Sequence, residues 1–485
     1  MGRYTTEQWA KEWLREQREK GEKCLEIKVS NGNHYVYRST TRYDPDKPWP
    51  VKVSKYVGSL DKERGLIPQR VKKTSQERDA PVVTVKETGP MRLLLAAAGP
   101  LKESLETEFP RTWRSLFALA VLRCIRRTSF DKASSVWDKH EDSAGILPAL
   151  SPAVLSEAVS SAGSDRDAQN EVFGAIDMDG TDIAFDLSEF YTASGSVPYA
   201  ERGHNPDCED LPQVNVALIC SLESGRPLMI RPVPGSVRDP KTLASVFAET
   251  GRRDLLAVMD KAFYSGSNTA ALRSEGVHYV IPLKRNSTLY EGVDVCEYDT
   301  FEYHKRLIRF GTSPAGPGEF LYLFRDESMK TEEERTVFAK YREEKLNMPD
   351  VEARKRTMGT ILIISDLDLP PETVYLAYKR RDKVEKRFSV FFDDLRADKS
   401  YVNSNEGVFG HVFVSFLSLY MLSEIENALR RADLLSKMSA QDVLFEYSKA
   451  YALFSNNGTV DYATPKRLEQ LDRKLGYNIF PIIRS

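Results

Sequence analysis

The chain has 485 residues, 41% hydrophobic and 29% charged, which describes an ordinary globular protein with ample core material and about three domains. Its 69 Lys and Arg nearly balance 71 Asp and Glu, and a net charge of −2 argues against a protein that coats nucleic acid over its whole surface. Five cysteines without paired spacing argue against a disulfide framework or a structural zinc site and suit a reducing cytoplasm.

The N-terminus is charged from Arg3 to Lys28 and lacks the apolar segment of a signal peptide. Residues 7–23 are polar and helical in character. Leu25–Val29 and His34–Tyr37 alternate on either side of Asn31-Gly32, which predicts a β-hairpin. After Pro45, Pro48 and Pro50 the alternation returns at Val51–Val57. Residues 1–79 hold 18 Lys and Arg against 12 Asp and Glu, so residues 1–80 form a small basic β-containing module suited to a polyanion. The polar stretch Pro68–Asp79 closes it.

From residue 90 to 168 the pattern is helical. Trp113, Leu116, Phe117, Ala120, Val121, Cys124 and Ile125 make one buried stripe. Arg123, Arg126 and Arg127 share that element and are candidates to face phosphate, or solvent. The next part, 170–285, reads as strands Val172–Met178, Val214–Cys220 and Leu228–Val233, a helix Pro240–Thr250, a strand Leu255–Met259, a helix Ser267–Ser274 and a strand Val277–Leu283. Three meander strands followed by helix–strand–helix–strand is an α/β order, that of an RNase H-like mixed sheet flanked by helices.

Residues 286–356 interrupt that order with β-like pieces at Phe301–Tyr303 and Glu319–Phe324 and a charged helical stretch, Lys330–Lys345, and read as an insertion. A strand at Thr360–Ser365 resumes the core, which runs over 357–430, and leads into a long helix. Residues 431–485 are expected to hold further helices, ending in a poorly patterned tail of about 30 residues. The longest uncharged run, Gly407–Ser423, contains His411 and falls short of the roughly 20 apolar residues of a membrane span, so it reads as a buried helix.

Three carboxylates stand where chain geometry can present them to a metal ion. Asp179 and Asp260 close the predicted strands Val172–Met178 and Leu255–Met259, and Glu385 lies inside the long helix. Tyr378, Arg381 and Glu385 share one helical face, since seven residues make nearly two turns. Arg381 can then pair with a phosphate and Tyr378 can stack on a base. Asp177, Asp182 and Asp186 flank Asp179, and the Asp-x-Thr register selects Asp179 among them. Oxygen ligands of this kind suit two Mg²⁺ or Mn²⁺ ions in a phosphoryl-transfer site.

The stretches Asp179-Gly-Thr, Leu211–Leu218, Pro234–Asp239, Met259–Ser265, Tyr279–Leu283, Tyr378–Glu385 and Gly410–Phe416 fall in order over roughly 170–425. In this the chain resembles DDE transposases of prokaryotic insertion sequences, in the branch with a β-rich insertion before the last glutamate. The resemblance implies Asp179, Asp260 and Glu385 as catalytic metal ligands, and Lys261, Tyr378, Arg381 and Arg396 as contacts to DNA phosphate or bases. It also implies double-stranded DNA partners (terminal inverted repeats and target), a homodimer joining two ends, and cleavage followed by strand transfer of a 3′-OH. No small-molecule substrate or membrane is expected, and the protein would act in the cytoplasm at the nucleoid. The branch usually carries a Lys seven residues after the Glu; Phe392 stands there, with Arg396 one turn further on as a substitute, and Ala262 replaces a common Gly. These departures keep open a catalytically impaired, DNA-binding descendant, beside a metal-dependent nuclease without strand transfer.

Overall fold

A computed structural model describes residues 6–30, 32–42, 49–62, 64–68, 82–126, 128–177, 180–191, 197, 199–200, 213–234, 240–381 and 404–481. The chain divides into two compact units, Met1–Val82 with Ser455–Asn457, and the remainder.

In the first unit, α1 (Gln8–Glu19) precedes strands β1 (Leu25–Ser30), β2 (Asn33–Arg42), β3 (Val51–Asp61) and β4 (Gly65–Pro68), paired antiparallel in that order. Gly32, at a φ of 77°, allows the tight β1–β2 turn. Alternation sends Leu25, Ile27, Val36, Leu60 and Leu66 to one face, where Trp9, Ala10, Trp13 and Leu14 of α1 cover them. Residues 69–81 lie outside the described residues.

The second unit begins with β5 (Val82–Glu87) and helices α2 (Gly89–Ala98), α3 (Pro100–Glu108), α4 (Trp113–Ile125), α5 (Phe130–Trp137), α6 (Pro152–Ser164) and α7 (Arg166–Gly174). A mixed sheet follows. Strands β6 (Asp182–Tyr191), β7 (Gln213–Ser221) and β8 (Pro227–Pro234) form an antiparallel meander. Helix α8 (Pro240–Glu249) leads to β9 (Leu255–Val258), and α9 (Gly266–Ser274) to β10 (Val277–Pro282). Both β9 and β10 run parallel to β6, giving the order β8-β7-β6-β9-β10 of an RNase H-like sheet. The insertion strands β11 (Thr300–Tyr303), β12 (Arg306–Gly316) and β13 (Glu319–Asp326) continue this sheet through β14 (Thr360–Ser365), which pairs with both β13 and β10.

Helices α10 (Glu327–Arg342) and α11 (Met348–Lys355) complete the insertion, and α12 (371–381 where described) follows β14. Then come α13 (Asn405–Arg431), α14 (Ala440–Tyr447), a hairpin of β15 (Tyr451–Ser455) and β16 (Val460–Ala463), and α15 (Lys466–Leu475). The expected unpatterned tail is therefore corrected: β16 and α15 order it, with Leu468 and Leu475 buried.

A second correction concerns the first predicted strand. Val172 and Phe173 belong to helix α7, and the strand starts only at Asp182. Tertiary partners decide this. Asp165 caps α7 by accepting from the Ala168 N–H, and one face of the helix presents Gln169, Asn170 and Phe173 to the buried Arg231 of β8. Arg231 also donates to Glu249 of α8 at 2.6 Å, so one guanidinium ties helix, strand and crossover helix together.

Helix α13 runs through the core. By length and composition it is the one helix among the described residues that could cross a membrane, yet 83% of its most apolar window is buried inside the protein. Its polar groups are matched within the core: Arg123 of α4 donates to the His411 carbonyl at 3.1 Å, to His411 Nδ1 at 2.7 Å and to Ser415 Oγ. Burial, reinforced by Arg123, pushes the His411 pKa well down, so the ring is neutral and accepts. Arg123 is thus committed to packing and does not face phosphate; Arg126 is the C-cap of α4, and Arg127 lies outside the described residues.

At the α6–α13 crossing the backbones touch. A Cβ on Gly410 would stand 1.8 Å from the Val159 carbonyl oxygen, and one on Gly163 1.8 Å from that of Glu406. Gly410→Ala should therefore cost about 3 kcal/mol or more of unfolding free energy by denaturant titration, the scale of an overpacked core. An unchanged midpoint would mean that the helices are not in contact there.

Burial holds the His140 pKa at about 4, with Lys139 and Lys86 adding repulsion. The Glu87 carboxylate 3.8 Å away, whose own pKa burial raises, is therefore not an ion-pair partner at neutral pH. The unfolded chain takes up this proton near pH 6.5 and the folded one only near 4, so stability falls as pH drops between them. His140→Gln should flatten that part of the stability–pH curve; a decline as steep as in the parent would contradict it.

Candidate active site

The sheet brings two carboxylates level. In the parallel β6–β9 ladder Asp182 pairs with Leu256, Ile183 with Ala257 and Ala184 with Val258. Two residues further along each chain stand Asp186 and Asp260, on the same side as Ala184 and Val258 because side chains alternate with period two. Phe185, between Ala184 and Asp186, points the other way and is buried edge-on against Phe263 and tilted against Phe247 of α8, which fixes the strand's rotation. Asp260 follows β9 and caps the short 3-10 turn Lys261–Phe263, its Oδ1 accepting from the Ala262 N–H at 2.8 Å. One oxygen thus sets the side chain's direction while Oδ2 faces the site.

Arg381 of α12 completes the cluster. Its guanidinium lies 3.7 Å from Asp260 Oδ2 and 4.0 Å from Asp186 Oδ1, and its side chain is only 3% exposed. Asp186 and Asp260 are more open, at 22% and 36%. The helix delivering Arg381 is held by Tyr375, buried among Phe301 and Tyr303 of β11 and Phe324 of β13. The insertion thereby serves as a platform for the site helix. Tyr378, one turn before Arg381, is half-buried with the Lys379 ammonium 5.2 Å from its ring, and Lys261 is exposed beside Asp260.

Of the residues singled out from the sequence, Asp260 and Arg381 come together, with Tyr378 on the same helix and Lys261 next in sequence. Asp179, Glu385, Phe392 and Arg396 lie outside the described residues. The strand expected to end at Asp179 is instead helix and turn, so any carboxylate held by β6 comes from Asp182 onward. Asp186 is the one beside Arg381, and the Asp-x-Thr spacing passes over it. It is the single acid inside the apolar run Ile183–Leu187, a context that does not by itself rank it above Asp177, Asp179 or Asp182. The small cavity of about 30 Å³ lined by Asn170, Phe173, Arg252 and Leu255 involves none of these groups and is a packing void.

Two hard oxygen donors whose neighbourhood already holds a cation fit a divalent metal, and the remaining exposure of both carboxylates leaves them accessible. Among the described residues no third His, Cys, Asp or Glu joins them.

The transposase DDE domain family model matches residues 173–421, just over half of the chain, and contains Asp186, Asp260 and Arg381. The chain belongs to that family. No curated protein matches it. Among solved structures, a piggyBac transposase synaptic complex with hairpin DNA is similar at 9% identity and a TM-score of 0.39, over 82% of this chain and 85% of that one.

Arg381→Gln should remove the guanidinium from beside the two acids and lower stability by about 1–3 kcal/mol, a buried-pair loss discounted for the exposure of Asp260. Repeating the substitution in an Asp186→Asn, Asp260→Asn background should remove most of that loss. An equal loss in both backgrounds would show that the guanidinium acts through packing alone.

Proposed function

We propose that this protein is a DNA transposase that hydrolyses a phosphodiester at each end of its element and joins the freed 3′-OH to target DNA. The observation that carries this reading is the convergence, inside the family domain, of Asp186 and Asp260 from neighbouring parallel strands around Arg381. We assign the first carboxylate to Asp186 in preference to Asp179, since Asp186 follows the last β6–β9 pair at the same distance as Asp260 does. Glu385, four residues beyond Arg381 in the sequence, is the third.

Asp186, Asp260 and Glu385 would hold Mg²⁺ or Mn²⁺, and such ions supply activation of the attacking oxygen and stabilisation of the leaving one. The protein's own groups do the positioning. The ladder register fixes the spacing of the two strand carboxylates. Arg381 balances their charge and stands beside the place where a phosphate must enter, and Tyr378 and Lys261 flank that entrance. Arg396 would contact phosphate further along the same segment. Water attacks first and releases the 3′-OH; that hydroxyl then attacks the target phosphodiester and expels a target 3′-oxygen, so phosphorus stays four-coordinate before and after each step. Joining two ends calls for two copies of the chain, and the substrates are the terminal inverted repeats and a target duplex.

Asp186→Ala and Asp260→Ala should each reduce cleavage of a terminal-repeat duplex by at least a thousandfold, with affinity for that duplex within a fewfold of the parent. Asp179→Ala should keep cleavage within about tenfold. Full activity in Asp186→Ala, with loss in Asp179→Ala, would reverse the assignment. A joined product from a pre-cleaved end separates transposition from simple nuclease action.

A further inference from the structure

The first unit carries a feature that the acidic site does not use. Strands β2 and β3 pair from His34↔Leu60 to Arg42↔Val51, whereas β1 stops at Leu25↔Arg38 and β4 covers only Gly58–Asp61. Ser39–Arg42 and Val51–Ser54 therefore extend beyond the four-stranded body as a two-stranded ribbon. At about 3.4 Å per residue the extension reaches roughly 13 Å past β1.

Its chemistry is one-sided in charge. Residues 38–55 hold Arg38, Arg42, Lys47, Lys52 and Lys55 against Asp44 and Asp46. Arg38 and Lys55 are register partners, directly opposite on one face. Two like charges facing each other across a ladder disfavour pairing, and an anion lying against that face relieves the repulsion. Lys52 and Arg38 do have acidic neighbours, Glu26 and Glu22, but both cations are more than half exposed, which makes such pairs weak and exchangeable. The other ribbon positions are small or hydroxylated: Ser39, Thr40, Thr41 and Ser54, with Val53 45% exposed and Trp49 beside the ribbon 67% exposed.

We propose that the β2–β3 ribbon is a duplex-DNA-binding element that enters the major groove tip first, with Arg38 and Lys55 on one face and Lys52 on the other directed at the phosphates of the two groove walls, and Thr40, Thr41 and Val53 nearer the base edges. A major groove about 12 Å wide and 8.5 Å deep admits a two-stranded ribbon, and the extension is long enough to reach its floor. The choice of DNA as occupant rests on the transposase reading, and the charge pattern selects this surface.

The test uses the full-length chain carrying Asp260→Ala, so that binding is read without cleavage, and a 25-base-pair random-sequence duplex in fluorescence anisotropy at several salt concentrations. Replacing Arg38, Lys52 and Lys55 together by Gln should weaken binding at least tenfold and make the log–log salt dependence shallower by about two to three. The charge-preserving set Arg38→Lys, Lys52→Arg, Lys55→Arg should restore non-specific affinity. A folded Gln variant with unchanged affinity and salt slope overturns the proposal. Should the Gln variant misfold, a photo-crosslinker on Val53→Cys decides: a crosslink to the duplex supports the ribbon, and none overturns it. Loss of binding with cleavage by the Asp260-containing parent still absent would place failure in the acidic-site reading and leave the ribbon standing.

Discussion

The guanidinium of Arg381, buried against two carboxylates from neighbouring parallel strands, is the interaction on which the rest of the site depends. Two unit charges about 4 Å apart at an effective dielectric near 20 interact by about 4 kcal/mol before desolvation. Partial exposure of Asp186 and Asp260 brings the net value well below that. The sign matters more than the size. Without a cation the two acids would repel, and a strand register that brings them level would be penalised. With one, the register is compatible with a folded, metal-free protein that already concentrates negative charge at one point of its sheet.

The parts of the second unit far from the site serve this arrangement. Arg231 ties α7, β8 and α8, which flank the meander leading out of and back to β6. The insertion does not stand apart as an appendage: β13 and β14 make it continuous with the core sheet, and its aromatic residues seat Tyr375 six positions before Arg381. An insertion that widens the sheet and anchors the site helix explains why it falls between β10 and β14, next to the strand that feeds that helix.

Much of this organisation is legible in the amino-acid order. Between Val214 and Ser365 the core strands and the helices between them follow hydrophobic pattern, because each is bounded by turn residues and long enough to show it. The hairpin at Asn31-Gly32 is legible for the same reason. Within the insertion, the strand Arg306–Gly316 and the helix Met348–Lys355 are not legible. Nor is the stretch 172–178, since Val172, Phe173 and Ile176 fit a buried strand or a helix equally, and the choice is made by Arg231, some 60 residues away. Asp260 can be found by its place after an apolar run. Asp186 cannot be ranked above its acidic neighbours without the parallel pairing to β9, a non-local contact that no spacing encodes. Arg123 fails similarly: its surface-like sequence context hides a partner, His411, on a helix 288 positions later.

The most direct test is to locate the metal. Crystals of the chain grown with Mn²⁺ should show anomalous scattering between the carboxylates of Asp186 and Asp260, with the Arg381 guanidinium moved off at least one of them. Manganese bound at Asp179, with Asp186 still against Arg381 and carrying no density, would contradict the account.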